Sequence, residues 1–212
     1  TLTHSQSGWL SGYIEIDDYP ITFDNKRYFS FYVPEQEDIL VIEEERAASI
    51  RILYENLFDQ FDPTFISSKQ IGSVDLNVYK SVILVGMSNL STGFTERLIS
   101  FLEQGGSMMF IPGSGMNLSS VNNLFEELSI GNFSRLKAIS DGQETEFVDL
   151  EHPIFEGVFT EEDSRQFDGP LIYQFYPFKS LKGSVQTKIM GLNRLEPILL
   201  EARANNGLCF IF

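Results

Sequence analysis

The sequence predicts an α/β fold: a doubly wound, mainly parallel sheet with antiparallel additions in its C-terminal third. Three observations carry this. Ile39-Leu40-Val41-Ile42, residues 81–86 and residues 107–113 are short apolar runs without polar alternation, as expected of strands covered on both faces. Amphipathic helical patterns separate these runs. After residue 131 the helical patterns cease and strand-like segments follow one another.

Residues 1–33 read as β. Residues 12–16 alternate, with Tyr13 and Glu15 on one side and Ile14 and Ile16 on the other. Asp17-Asp18-Tyr19-Pro20 breaks this strand. Asp24-Asn25 supplies turn chemistry before a second strand at 27–33, which places Phe29, Phe31 and Val33 on one face. Two strands alone are marginal in water, so they need a further layer.

Residues 38–44 form the first continuous apolar strand. Ala47, Ile50, Leu53, Tyr54, Leu57, Phe58 and Phe61 then make one helical stripe, which Asp62-Pro63 is expected to end. Short strands are expected at 64–68 and 81–86. A helix at 95–106 closes on Gly105-Gly106. After the strand at 107–113, Ser119 or Ser120 is expected to cap a helix carrying Val121, Leu124, Phe125 and Leu128. Further strands are expected at 134–140, 145–150, 171–176, 187–192, 197–203 and 208–212. The last two are joined by an Asn205-Asn206-Gly207 turn.

Composition narrows the function. Fifteen Lys and Arg against thirty Asp and Glu give a net charge of −15, which repels nucleic-acid phosphates and an anionic membrane face. The single cysteine, Cys209, cannot form an internal disulfide. With two histidines there is no Cys/His set for zinc, and the acidic clusters lack calcium-loop spacing, so no metal site and no cofactor are expected. No run is long enough to span a membrane. A chain running from Thr1 into the apolar Phe210-Ile211-Phe212 is expected to be a segment cut from a longer protein, so the lack of an anchor here does not exclude one in the parent.

The stretch "FIPGSGMN" (110–117) turns from strand to helix, where α/β enzymes often carry a nucleophile. A nucleophile elbow needs Gly-x-Ser/Cys-x-Gly. Around Ser114 the outer positions are Pro112 and Met116, too bulky for that turn, so a structural bend is expected. The histidine able to serve as a base is His152, in a loop fixed by Pro153. Cys209 lies in an apolar strand and reads as a buried, inert thiol. Glu43, with Glu44 beside it, ends a strand, and Gly86-Met87-Ser88-Asn89 ends another. Glu43, Ser88, Asn89, Ser114 and His152 are therefore the candidates to face a strand-end crevice. No residue is assigned a catalytic role.

The order of "FDNKRYF", "YKSVILVG", "FLEQGGSMMFIPG", "HPIFEGVF" and an apolar last strand resembles the soluble region of the Bat-type aerotolerance membrane proteins of Bacteroidetes-like bacteria. Those carry an N-terminal double-transmembrane region and a later domain similar to class I glutamine amidotransferases. The resemblance covers roughly residues 12–212. It implies that residues 1–33 are trailing strands and a link from an upstream β-sandwich. Residues 34–212 would then be a flavodoxin-like, class I glutamine amidotransferase-like domain, cut short at its C-terminus. True amidotransferases place a Cys at the elbow and a later His-x-Glu. Neither Pro112–Met116 nor His152-Pro153-Ile154 supplies these, so amidotransferase activity is expected to be lost.

The expected function is a non-enzymatic, extracytoplasmic interaction or scaffold domain. It would bind an envelope protein and sit in the periplasm, with the parent in the bacterial inner membrane; a cytoplasmic location is the alternative. The rival functions are a hydrolase or carbohydrate-acting enzyme of the trehalose-utilisation type and a small-molecule sensor. The first would need a polar pocket near Ser88, Ser114 and His152, and the second would bind at the strand-end crevice without turnover.

Overall fold

The computed structural model describes residues 7–16, 25–33, 37–44, 48–57, 61–156, 158 and 169–212. The strands are β1 (Gly8–Glu15), β2 (Lys26–Val33), β3 (Glu37–Glu43), β4 (Phe61–Ser67), β5 (Ser81–Met87), β6 (Ser107–Pro112), β7 (Gly131–Phe133), β8 (Lys137–Glu144), β9 (Phe147–Val148), β10 (Leu171–Phe175), β11 (Phe178–Ser180), β12 (Gln186–Gly191), β13 (Pro197–Ala204) and β14 (Gly207–Ile211). The helices are α1 (Ala48–Leu57), α2 (Thr92–Glu103) and α3 (Leu118–Glu127).

One eight-stranded sheet organises the molecule, in the order β4-β3-β5-β6-β14-β13-β12-β9. The run β4-β3-β5-β6-β14 is parallel. From β14 onward each neighbour is antiparallel. β8 and β10 pair with each other as a separate two-stranded sheet, whereas β13, β12 and β9 extend the parallel one. Its last parallel strand, β14, arrives through a two-residue hairpin in which Asn205 takes φ 57°.

Alternation across the sheet separates two faces. Leu40, Val82, Met108 and Cys209 stand in one register row, with Ile42, Leu84, Phe110 and Ile211 in the next row but one. These side chains meet Leu98, Phe101 and Leu102 of α2 and Val121, Leu124 and Phe125 of α3 in the main core. Burial of such chains is the main driving force, about 1.5–3 kcal/mol each. Phe110, Phe125, Phe133 and Phe178 pack mostly edge-to-face there, the Phe133 and Phe178 centroids 4.9 Å apart. A second cluster, including Ile189, Ile198 and Leu199 with Ile154 and Phe155 against it, lies beside the antiparallel strands.

Several local expectations change. Phe61 and Pro63 lie inside β4 rather than ending the first helix. Pro63 is tolerated because β4 is the sheet's edge, where a strand can lose an N–H donor. On α1, Ile50 and Tyr54 are half-buried but Leu53 is 41% exposed, so the helical stripe is only partly used. Ala47 and Phe58 lie outside the described residues. The α2 helix begins earlier than expected, capped by Ser91. Asn117, not Ser119 or Ser120, caps α3, and its side chain accepts from both of those N–H groups. Residues 145–150 keep only the two-residue β9, while β7 and β11 pair as an unexpected short ribbon.

β1 and β2 pair with each other and, among the described residues, with no other strand. Their register sets Trp9 opposite Tyr32 and Tyr13 opposite Tyr28. Asp17, Asp18, Tyr19, Pro20 and Asp24 lie outside the described residues. Among the described residues no helix is long and apolar enough to cross a membrane.

Candidate functional site

The chain leaves β3, adds β4 on one side, and returns to place β5 on the other side of β3. The carboxyl ends of β3 and β5 therefore form the topological switch point, where doubly wound sheets bind ligands. Glu44 follows β3 and Ser88 follows β5. The Ser88 N–H donates to one Glu44 carboxylate oxygen at 2.7 Å, and its hydroxyl donates to the other at 2.6 Å. Such charge-assisted bonds are stronger than neutral ones. The Ser88 carbonyl in turn accepts from Asn117 N–H at 2.7 Å, which ties this turn to the start of α3.

Beside this lock an open crevice of about 590 Å³ is lined by Glu44, Asn89, Ser68, Ser91 and Arg97, among others. Arg97 donates to the backbone carbonyls of Ile71 (2.8 Å) and Val74, which holds the short helical turns after β4 against α2. Asn89 is exposed at the crevice. Glu43 points the other way. It pairs with Arg51 of α1, whose guanidinium lies 4.1 Å from the Phe65 ring centroid. Successive strand side chains alternate in direction, so Glu44 rather than Glu43 belongs to the crevice.

The bend at Gly113–Met116 sits one strand further along. The Tyr176 hydroxyl donates to the Ser114 carbonyl at 3.0 Å and accepts from Met116 N–H at 3.2 Å, so one phenol spans the turn. A Cβ on Gly113 would lie 2.4 Å from the Gly86 carbonyl oxygen. The glycine there serves the close approach of two strand ends. Beneath the bend, where β6 and β14 end and β13 begins, is an apolar cleft of about 180 Å³ with Ser114, Gln174 and Tyr176 among its lining.

His152 lies over β13. Its Nδ1 accepts from Ile154 N–H at 3.2 Å, capping the short turn Pro153–Phe155. Its Nε2 lies 3.4 Å from a Glu201 carboxylate oxygen. An accepting Nδ1 leaves the proton on Nε2, aimed at Glu201. The ring is buried, and it lines neither the crevice nor the cleft. Cys209 is fully buried in β14, and burial pushes its thiol far above the usual range. The structure thus gathers Ser88, Asn89 and Glu44 at the switch point and Ser114 at the neighbouring bend. Glu43 and His152 go elsewhere. Among the described residues no group of three or more His, Cys, Asp or Glu side chains is placed to hold a metal ion.

Solved structures share this fold at low identity. A ThuA-like protein from Bacteroides uniformis superposes with a TM-score of 0.59 at 14% identity, over 82% of this chain and 81% of that one. A β-galactosidase from Bacillus circulans sp. alkalophilus gives 0.53 at 15% identity over 84% of this chain. A β-galactosidase from Rahnella sp. R3 gives 0.55 at 13% over 85%. The chain spans 28% of the length of each of these two β-galactosidases. No protein-family model matches the sequence, and a search of curated proteins finds no relative. The fold is therefore a doubly wound α/β sheet like that of the ThuA-like protein, with a mostly antiparallel C-terminal part.

Proposed function

We propose that this domain is a non-enzymatic interaction module. It is the extracytoplasmic part of a membrane-anchored bacterial protein of the Bat-type aerotolerance kind, and it binds an envelope protein at the strand-end crevice. The observation that carries this is the investment of the strand-end polar groups in structure. Both Glu44 oxygens hold Ser88, Tyr176 spans the bend at Ser114, and the His152 ring nitrogens are engaged by Ile154 and Glu201. A general base needs a free lone pair within reach of a nucleophile, and this arrangement favours contact over turnover.

The test is cross-linking capture by the protein in its own membrane, comparing the natural sequence with Asn89→Arg. Asn89 is exposed, so this change crowds the crevice without entering the core. Loss of one envelope protein from the captured set, with an unchanged unfolding curve, is the expected outcome. Capture that ignores the substitution removes the crevice as the contact. Turnover of trehalose or aryl glycosides by the purified chain replaces this reading with the carbohydrate-acting one.

A further inference from the structure

We propose that β2 pairs edge to edge with β2 of a second copy of this chain, antiparallel, about a two-fold axis at Ser30. This goes beyond the crevice reading and does not depend on it. The residues of β2 carry the argument. Tyr28-Phe29-Ser30-Phe31-Tyr32 reads the same in both directions. Antiparallel pairing about Ser30 therefore sets Tyr28 opposite Tyr32 of the second copy, Phe29 opposite Phe31, and Ser30 opposite itself. In a closed two-fold interface every contact occurs twice with its residues exchanged. A palindromic strand meets that condition along its whole centre. The other strand of the hairpin does not: β1 reads GWLSGYIE, has no such centre, and carries Gly12 in its interior, where glycine weakens a strand.

The edge is built to accept a strand. Natural sheet edges resist pairing with a charge or a proline in mid-strand. β4, at the edge of the large sheet, has Pro63. Residues 28–32 have neither, and among the described residues no strand lies along the other edge of β2. A two-stranded hairpin is marginal in water, and three or more strands with an apolar face are needed. Pairing makes four, in the order β1-β2-β2-β1. Trp9, Tyr13, Tyr28 and Tyr32 of both copies then line one face, where each ring is more than half exposed in the single chain. Cross-strand aromatic pairs of this kind are favourable. Phe29 and Phe31 stand on the opposite face, stacked at 6.1 Å, and pairing along the edge leaves that contact in place.

Charge permits the same register. The cations of β2, Lys26 and Arg27, both lie at its first end. Antiparallel pairing sets Arg27 opposite Val33 of the second copy and sends the two basic ends apart. The two Arg27 residues are then on the order of 20 Å from each other along the strands. That exceeds the screening length of about 8–10 Å at ordinary ionic strength, so their repulsion is small. A parallel pairing of the same two edges would instead stack Lys26 on Lys26 and Arg27 on Arg27, and like charges directly opposite destabilise a sheet.

The test is oxidative cross-linking and sedimentation velocity of the whole chain. Facing Cα atoms of an antiparallel pair are about 4.5–5.5 Å apart, inside the disulfide range of about 4.4–6.8 Å. Ser30→Cys should therefore form a disulfide-linked dimer. Ser11→Cys, also exposed and opposite Ser30 within the hairpin, lies three strand spacings from its counterpart, about 14 Å, and should form none. The native Cys209 is buried and does not compete. In sedimentation the natural sequence should pass from monomer to dimer as concentration rises, and stop there. Ser30→Arg puts two cations on the axis and Ser30→Glu two anions, and each should weaken self-association about tenfold or more. Mixing these two variants should restore the dimer, which a folding defect would not allow. A monomer at every concentration overturns the proposal. So does growth beyond the dimer, Ser11→Cys linking as readily as Ser30→Cys, or a dimer indifferent to Ser30→Arg.

Discussion

The rings of the main core and the rings of the β1–β2 hairpin are chemically alike and end in opposite environments. Phe110 and Phe125 are fully buried, whereas Trp9 is 75% and Tyr28 73% exposed. In both places aromatic groups pair, Trp9 with Tyr32 at 5.6 Å and Phe110 with Phe125 at 5.3 Å. What differs is a second layer. The large sheet has α2 and α3 against one face, while the hairpin pairs with no other strand among the described residues. Aromatic content therefore says that burial is needed, and only an opposing layer supplies it.

The largest expected contrast is between Phe125→Ala and Trp9→Ala. Emptying the ring cluster should cost about 3–5 kcal/mol. The hairpin change should cost less than about 1 kcal/mol, as exposed substitutions do. Denaturant unfolding of the whole chain measures both. A Trp9→Ala cost as large as that of Phe125→Ala would break the comparison, because it would mean the hairpin is covered in solution.

Glycines sharpen the same contrast at smaller scale. Gly113→Ala drives a Cβ to 2.4 Å from the Gly86 backbone oxygen, and neither strand end can yield. A loss of about 1–3 kcal/mol is expected, the range for overpacking. In the hairpin, the Cβ of Gly12→Ala would meet the far edge of the Phe29 ring at 2.9 Å. That ring can swing aside, so thermal unfolding should change by no more than about 0.5 kcal/mol.

The smallest effect is electrostatic. The hydrogen bond from Lys137 (2.7 Å) is the main cause that holds Glu196 below its usual value of 4.5, against a smaller opposing desolvation. A lowered folded-state value stabilises above the unfolded one, and that contribution is lost as pH falls through the folded value. Glu196→Gln should lower stability slightly at neutral pH and leave the acid extreme unchanged, so that the acid limb of a stability–pH curve becomes shallower. An unchanged acid limb would mean that this half-exposed pair is screened out.

The continuous runs that became β3, β5 and β6 were legible because burial on both faces removes polar alternation. So was the stop after α2, where Gly105 takes φ 89°, and so was the last hairpin. The extent of β4 was hidden, because Pro63 reads as a breaker until its edge position is known. The choice of Asn117 over Ser119 and Ser120 depended on how the bend enters α3. Glu44 was visible only as one of two strand-end acids. Tyr176 looked like an ordinary strand residue, and Pro177 just after it was the sole sign that the strand stops there.

Taken alone, the order of residues determined most of the strands and helices, since hydrophobic period and turn chemistry act over a few neighbours. It also determined that the bend at Ser114 lacks a nucleophile's flanking glycines. The tertiary structure decided what those segments build. It set β14 beside β6, turned Glu43 to α1 and Glu44 to the crevice, and brought Tyr176 to Ser114 across 62 residues of chain. Such pairings join groups far apart in the chain, and nothing local encodes a partner that becomes adjacent only once the sheet has closed.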